Sequence, residues 1–174
     1  MSVVMGIDPG YCDCGYGFIE TVPQMKHIAS GVIKTSKENP MPQRLLELRK
    51  DLLSLLELYQ PDVVAVEKIF FSLNAKTAIQ VAQARGVILS TTAEYKAGVE
   101  IVEYTPPEVK RIVTGNGQAK KPWIISAVEN KLGVKVKDDN TADALAIAMT
   151  YAKVIQGDSG SDLPSSRVLP VLRR

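Results

Sequence analysis

The chain has 174 residues, 45% of them hydrophobic and 23% charged, enough for one domain with a buried core and too apolar for a disordered segment or a fibre. No apolar run approaches the ~18 residues of a membrane span, and an Asp already at position 8 does not suit a signal peptide, so a cytoplasmic protein without a membrane partner is expected. Lys plus Arg number 21 and Asp plus Glu 19, a formal charge of +2, which neither announces nor excludes a nucleic-acid partner.

His27 is the only histidine, and Cys12 and Cys14 are the only cysteines. A histidine-based metal cluster within one chain is therefore excluded. The two cysteines stand too close for an ordinary disulfide and are wrongly spaced for a zinc knuckle, so they read as reduced thiols. Gly157-Asp158-Ser159-Gly160 looks like the nucleophile segment of trypsin-like proteases. It lies in a Ser/Gly/Asp stretch without flanking strands, and no protease site is expected there.

In chain order, the apolar run Ser2 to Ile7 ends at Asp8-Pro9-Gly10 and predicts a strand and a turn. Gly15 to Thr21 and Lys26 to Thr35 predict two more strands, completing an antiparallel meander. Asn39-Pro40-Met41-Pro42 breaks the chain. From Gln43 to Tyr59, leucines at 45, 48, 52, 55 and 56 recur at helical spacing opposite Arg44, Glu47, Lys50 and Glu57. That is an amphipathic helix laid on a sheet. Val63 to Val66 is a β-branched run suited to a buried parallel strand, and it ends in Glu67. Asn74 is placed to cap an Ala-rich helix reaching about Lys96. Val99 to Tyr104 predicts a fifth strand, Pro106 to Val113 a short helix, Pro122 to Leu132 another, and Thr141 to Ile155 the last. Strands first, then strands alternating with helices, imply one α/β domain over 1–157: a mixed five-stranded sheet flanked by helices. Residues 158–174 read as a flexible basic tail.

Three carboxylates occupy unusual places. Asp8 and Glu67 end apolar strands, where open α/β sheets carry their sites. Asp143 sits inside Ala142-Asp143-Ala144-Leu145-Ala146-Ile147-Ala148, a helix apolar nearly all round, with no Lys or Arg within a turn. Each alone is also explained as a cap or half of a buried ion pair. Together, on separate apolar elements, they suggest convergence. Clustered carboxylates repel and take up protons unless a cation neutralises them. Oxygen-only donors favour Mg²⁺ or Mn²⁺, and such a cluster suits two-metal phosphoryl transfer.

These residues resemble the RuvC family of bacterial Holliday junction resolvases. Gly6-Ile7-Asp8-Pro9-Gly10 with Gly15-Tyr16-Gly17 is similar to its first motif, Glu67-Lys68-Ile69-Phe70 with Gln83-Ala84-Arg85-Gly86 to its second, and Ala142 to Ala148 to its last. The match runs in order from residue 3 to about 157. The resemblance implies a ribonuclease H-like fold and a homodimer that sets two sites on a four-way DNA junction, in recombination and repair. A branch-migration helicase complex would be a further partner. It implies two ions per site, held by Asp8, Glu67 and Asp143, with Asp8 bridging both from the middle of the sheet. Phe70 matches an aromatic that stacks on junction bases, and Phe71 would face the other way. Lys110 and Lys121 match basic residues that touch phosphate. The loop Gly115 to Lys121 lets backbone amides, Lys120 and Lys121 approach a phosphate. Arg85, in the second motif, is expected on the DNA with them.

One departure matters. The family places a fourth acid three residues before the last Asp, one helical turn away on the same face, and here that catalytic position is Asn140. Asp139 is adjacent but about a hundred degrees round the helix. Three readings are open. Asn140 ligates weakly through its amide oxygen, Asp139 swings in from a non-helical first turn as a metal ligand, or the protein is a weakened junction binder. The preferred reading is a natural variant in which Asn140 caps the helix and Asp139 helps. Two other readings compete: Asp8-x-Gly10 with Gly15 and Gly17 also resembles the first phosphate loop of actin-like ATPases, and the same fold could serve a nuclease of another branched substrate. If four acids face metals, 15 acids remain against 21 bases, so the mild net charge would conceal a basic DNA-facing surface.

Overall fold

The computed structural model describes residues 2–68, 75–96 and 98–157. The expectations placed on Phe70, Phe71, Asn74 and the tail 158–174 fall outside them. The elements are β1 (Val3–Asp8), β2 (Asp13–Glu20), β3 (Lys26–Lys34), α1 (Met41–Tyr59), β4 (Val63–Glu67), α2 (Ala75–Tyr95), β5 (Glu100–Tyr104), α3 (Pro106–Thr114), α4 (Lys121–Leu132) and α5 (Asp139–Ile155). Their order matches the sequence reading. Helix α1 starts two residues earlier than its leucine period suggests, because Pro42 sits in the first turn, where its missing N–H costs nothing.

The strands form one sheet in the order β3-β2-β1-β4-β5. β1, β2 and β3 are mutually antiparallel, and β4 and β5 run parallel to β1. β1 is therefore central. Side chains alternate across each strand, so the sheet divides two cores. Met5, Ile7, Val64, Val66 and Ile101 face a layer built by Leu48, Leu52 and Leu56 of α1 and Ala84 and Ile88 of α2. Val4, Ala65, Val102 and Tyr104 face the opposite layer, where α3, α4 and α5 pack.

Helix α5 fills the middle of that second layer, and its residues from Ala144 to Thr150 are all buried. It lies unusually close to the sheet. A Cβ on Gly6 would stand 2.0 Å from the Ala144 carbonyl oxygen, and one on Gly15 would stand 2.1 Å from that of Asn140. No side chain fits either gap, so these glycines set how deep α5 sits. The depth matters because α5 carries one of the acids.

Candidate active site

Asp8 and Glu67 are the last residues of neighbouring parallel strands. Ile7 pairs with Val66, which brings the two acids side by side at one end of the sheet. Both share the strand parity of Val4, Gly6, Val63 and Ala65, and so point to the α5 side. Asp143 descends from α5 onto the same end. The two strands and the helix thus bring the three acids together, as the sequence suggested. A cavity of about 240 Å³ opens here, lined by Glu67, Pro106, Val109, Lys110, Lys121 and Asp143, with Ile124.

The electrostatics are those of crowded carboxylates. Burial pushes Asp8 up to about 7, the Asp143 charge adds to the rise, and Lys121 opposes it. Glu67 is pushed up to about 8 by burial and then by Asp8 and Asp143, against Lys121 and Lys110. Asp143 is also raised, because its burial outweighs the hydrogen bond and charge of Lys121. For Lys121, burial acts downward, but the hydrogen bond to Asp143 and the charges of Asp143 and Asp139 lift it overall. Its Nζ lies 2.8 Å from Asp143 Oδ2 and 3.4 Å from Asp139 Oδ2. The partner that Asp143 lacks along its own helix comes from α4.

The donor chemistry suits a hard divalent cation: oxygen ligands only, in mutual repulsion, with more acids than bases. Among the described residues, no three His, Cys, Asp or Glu side chains stand close enough to hold one ion between them. Asp143 is instead directed onto the Lys121 ammonium, which supplies local positive charge.

Two expectations are corrected. Asn140 does not cap α5. Asp138 does, its Oδ1 accepting from the Thr141 N–H and its Oδ2 from the Thr141 hydroxyl, both at 2.8 Å. Asp139 is then not in a non-helical turn but is the first helical residue, four before Asp143 and on the same lysine. The Asn140 backbone rests on Gly15, the residue paired with Asp8, so position 140 stays beside the site. Arg85, expected on the DNA, forms an ion pair with the buried Glu103 of β5 and keeps 21% of its own side chain exposed. Lys120 is exposed at the N-cap of α4, and Lys110 is half-buried on the cavity wall.

Sequence reasoning missed a clamp. Arg44 of α1 is buried, and its guanidinium donates to the Tyr11 carbonyl and the Thr35 hydroxyl, both at 3.0 Å. It lies 2.7 Å from Cys12 Sγ and stacks over the Tyr11 ring. These bonds hold the loop that follows Asp8. Periodicity placed Arg44 on the polar side of α1, and nothing local signalled its burial.

The family model of Crossover junction endodeoxyribonuclease RuvC matches residues 4–151. The chain belongs to the RuvC family. A protein of that name from Caldicellulosiruptor saccharolyticus is 47% identical over 152 residues, covering 85% of this chain and 90% of the relative. One from Syntrophomonas wolfei is 45% identical over 151 residues, covering 85% and 87%. Among solved structures, T. thermophilus RuvC in complex with Holliday junction substrate superposes with a TM-score of 0.83 at 32% identity, over 91% of this chain and 98% of the other. The yeast mitochondrial Holliday junction resolvase, at 16% identity and a TM-score of 0.67 over 87% and 78%, shares the fold. The ribonuclease H-like architecture expected from the RuvC motifs is thus the observed one. Among the described residues, no helix is long and apolar enough to cross a membrane.

Proposed function

We propose that this chain cuts four-way DNA junctions by paired symmetrical nicks, as a homodimer, with hydrolysis centred on Asp8, Glu67 and Asp143. Membership of the RuvC family makes it a Holliday junction-resolving endodeoxyribonuclease, and the rest of the reading concerns how. The observation that supports it is the mutual repulsion of carboxylates from β1, β4 and α5, with Asp8 pushed up to about 7 and Glu67 to about 8, beside a cavity lined by Glu67, Asp143, Lys110 and Lys121.

The family's nuclease activity is metal-dependent. Two magnesium ions, with manganese as a substitute, held by Asp8, Glu67 and Asp143 with Asp139 at the rim, would activate water and stabilise the leaving oxygen. Asp8, from the central strand, would hold them together with its neighbour Glu67. Lys121 holds Asp143 and Asp139 through its ammonium, which has three donors, so one remains for a phosphate oxygen. Lys110 adds a second positive charge on the same wall. The DNA backbone is positioned by these groups and by the 115–121 loop rather than by covalent chemistry. Asn140 contributes a neutral oxygen beside Asp8, and Asp139 restores the missing charge from the neighbouring position.

For the homodimer, α2 is the supporting element: its outer surface exposes Ile79, and its alanines allow close approach by a second helix. A branch-migration helicase complex is the partner that a mobile junction implies.

A synthetic four-way junction, incubated with Mg²⁺, with Mn²⁺ or with EDTA and resolved on a denaturing gel, tests the reading. Paired nicks at symmetry-related positions, lost in EDTA, are expected. Tight junction binding with no nicking in either metal would leave a binding module and overturn the catalytic part.

A further inference from the structure

Trp123 is the only tryptophan of the chain, and 59% of its surface is exposed. It stands in the first turn of α4, the helix whose first residue is Lys121. Ile124 and Val128 turn α4 inward, and Lys121 reaches the acids, so Trp123 falls on another side of the helix. Three residues back, at the N-cap where the chain is still extended, stands Lys120, which is exposed. The two are tied through the backbone, Trp123 N donating to the Lys120 carbonyl at 2.9 Å. Lys120 has no ion-pair partner among the described residues, and the first turn of α4 holds no acid. Side chains lean toward the N-terminus of their helix, so the indole leans toward Lys120 and the loop leading to the site.

We infer that Lys120 and Trp123 form a second strand contact outside the cavity, in which Lys120 neutralises a backbone phosphate and the Trp123 ring stacks on a base or sugar of the junction strand entering the site. The proposal rests on the junction-cutting reading above. An exposed aromatic face beside an unpaired cation is the combination that holds an unstacked strand without reading its sequence. Lys120, with no ion-pair partner among the described residues, suits an anionic partner. Separate faces of one helical turn then divide the labour: Lys121 acts on the reacting phosphate, and Lys120 with Trp123 acts on the strand beyond it.

Because the indole is unique, its emission reports the contact directly. The wild-type protein is titrated with an unlabelled four-way junction in EDTA, while binding is followed independently by gel shift. Trp123 emission should be quenched in step with the gel-shift curve. Trp123→Ala should weaken junction binding about five- to tenfold and raise KM while kcat stays within about twofold. Trp123→Phe should recover most of the loss, since a phenyl ring still stacks. Lys120→Ala should reduce the slope of log affinity against log salt by about 1. Emission unchanged at saturating junction, with Trp123→Ala binding as tightly as wild type, overturns the proposal while leaving the junction reading intact. So does emission that follows protein concentration and not DNA, which would put Trp123 in a contact between copies. Absence of any gel shift by the wild type would instead remove the reading beneath it.

Discussion

Glu67 and Glu103 stand on adjacent parallel strands, almost side by side, and are treated in opposite ways. Glu103 pairs in register with Val66, one residue before Glu67. The half-step of the pleat sends them to opposite faces. On the α2 side, Glu103 is buried and closed off by Arg85. On the α5 side, Glu67 meets two further acids and, among the described residues, no lysine in ion-pair contact, and its carboxyl is pushed up to about 8. A structural acid is given one cation in contact. A cluster left with acid in excess is unstable as it stands and suited to ligand cations. The same residue type at nearly the same height in one sheet is thus held in an ion pair on one face and left in a carboxylate cluster on the other.

Substitution on the two faces should break this contrast most visibly. Asp8→Asn or Glu67→Gln should lower junction nicking by roughly a thousandfold or more in single-turnover assays, with junction affinity in EDTA within a few-fold of wild type. Nicking near the wild-type rate by either variant would remove these acids from the reaction. Arg85→Met should act in the other currency. It leaves Glu103 charged and unpaired in the core, a loss of about 3–5 kcal/mol, or roughly 10 °C in Tm. Adding Glu103→Leu should recover much of that loss, and junction affinity measured well below Tm should stay within about threefold. A large drop in affinity would return Arg85 to the DNA surface.

A smaller effect separates the two acids through pH. Asp8 and Glu67 keep their protons up to about 7 and about 8 in the folded protein, whereas in the unfolded chain they release them near 4. Between those limits the native state binds more protons, so stability falls as pH rises. In EDTA, Tm should therefore decline from pH 5 to pH 8, by about 5 °C if roughly 1–2 kcal/mol of linkage is expressed. Glu67→Gln should flatten that decline and melt higher than wild type at pH 8. A variant that melts lower at pH 8 would show that Glu67 is stabilised by a partner, as Glu103 is.

Much of this was legible in the sequence, for definite reasons. The continuous apolar runs before Asp8 and Glu67, and the apolar helix around Asp143, mark each acid as misplaced in its own element. The RuvC-like motifs then placed them together. What escaped depended on contacts between distant segments. Lys121 lies 22 residues from Asp143 in sequence but 2.8 Å away in space. Arg85 sits in a family motif, and only the register of β5 reveals Glu103 beneath it. Gly6 and Gly15 were readable as motif letters, but their physical task, admitting α5 to the sheet, needed the helix in place. The α5 cap was misassigned to Asn140 because Asp138, Asp139 and Asn140 are all good caps in succession. The Thr141 bonds to Asp138 decide among them.

The gentlest prediction concerns position 140. Since Asp138 performs the capping, Asn140→Asp removes no structural bond and should leave Tm in EDTA unchanged or slightly lower, as a further negative charge joins the cluster near Asp8. That extra charge attracts cations, so the Mg²⁺ concentration for half-maximal nicking should fall, by about three- to tenfold for a gain of roughly 1 kcal/mol. Asp139→Asn should move the requirement the other way, because it removes the acid that shares Lys121 with Asp143. If Asp139 already replaces the missing acid, the double variant Asp139→Asn/Asn140→Asp should return close to wild type. If Asp139→Asn has no effect while Asn140→Asp alone shifts the metal requirement, the charge belongs at 140, and Asp139 serves only to steer Lys121.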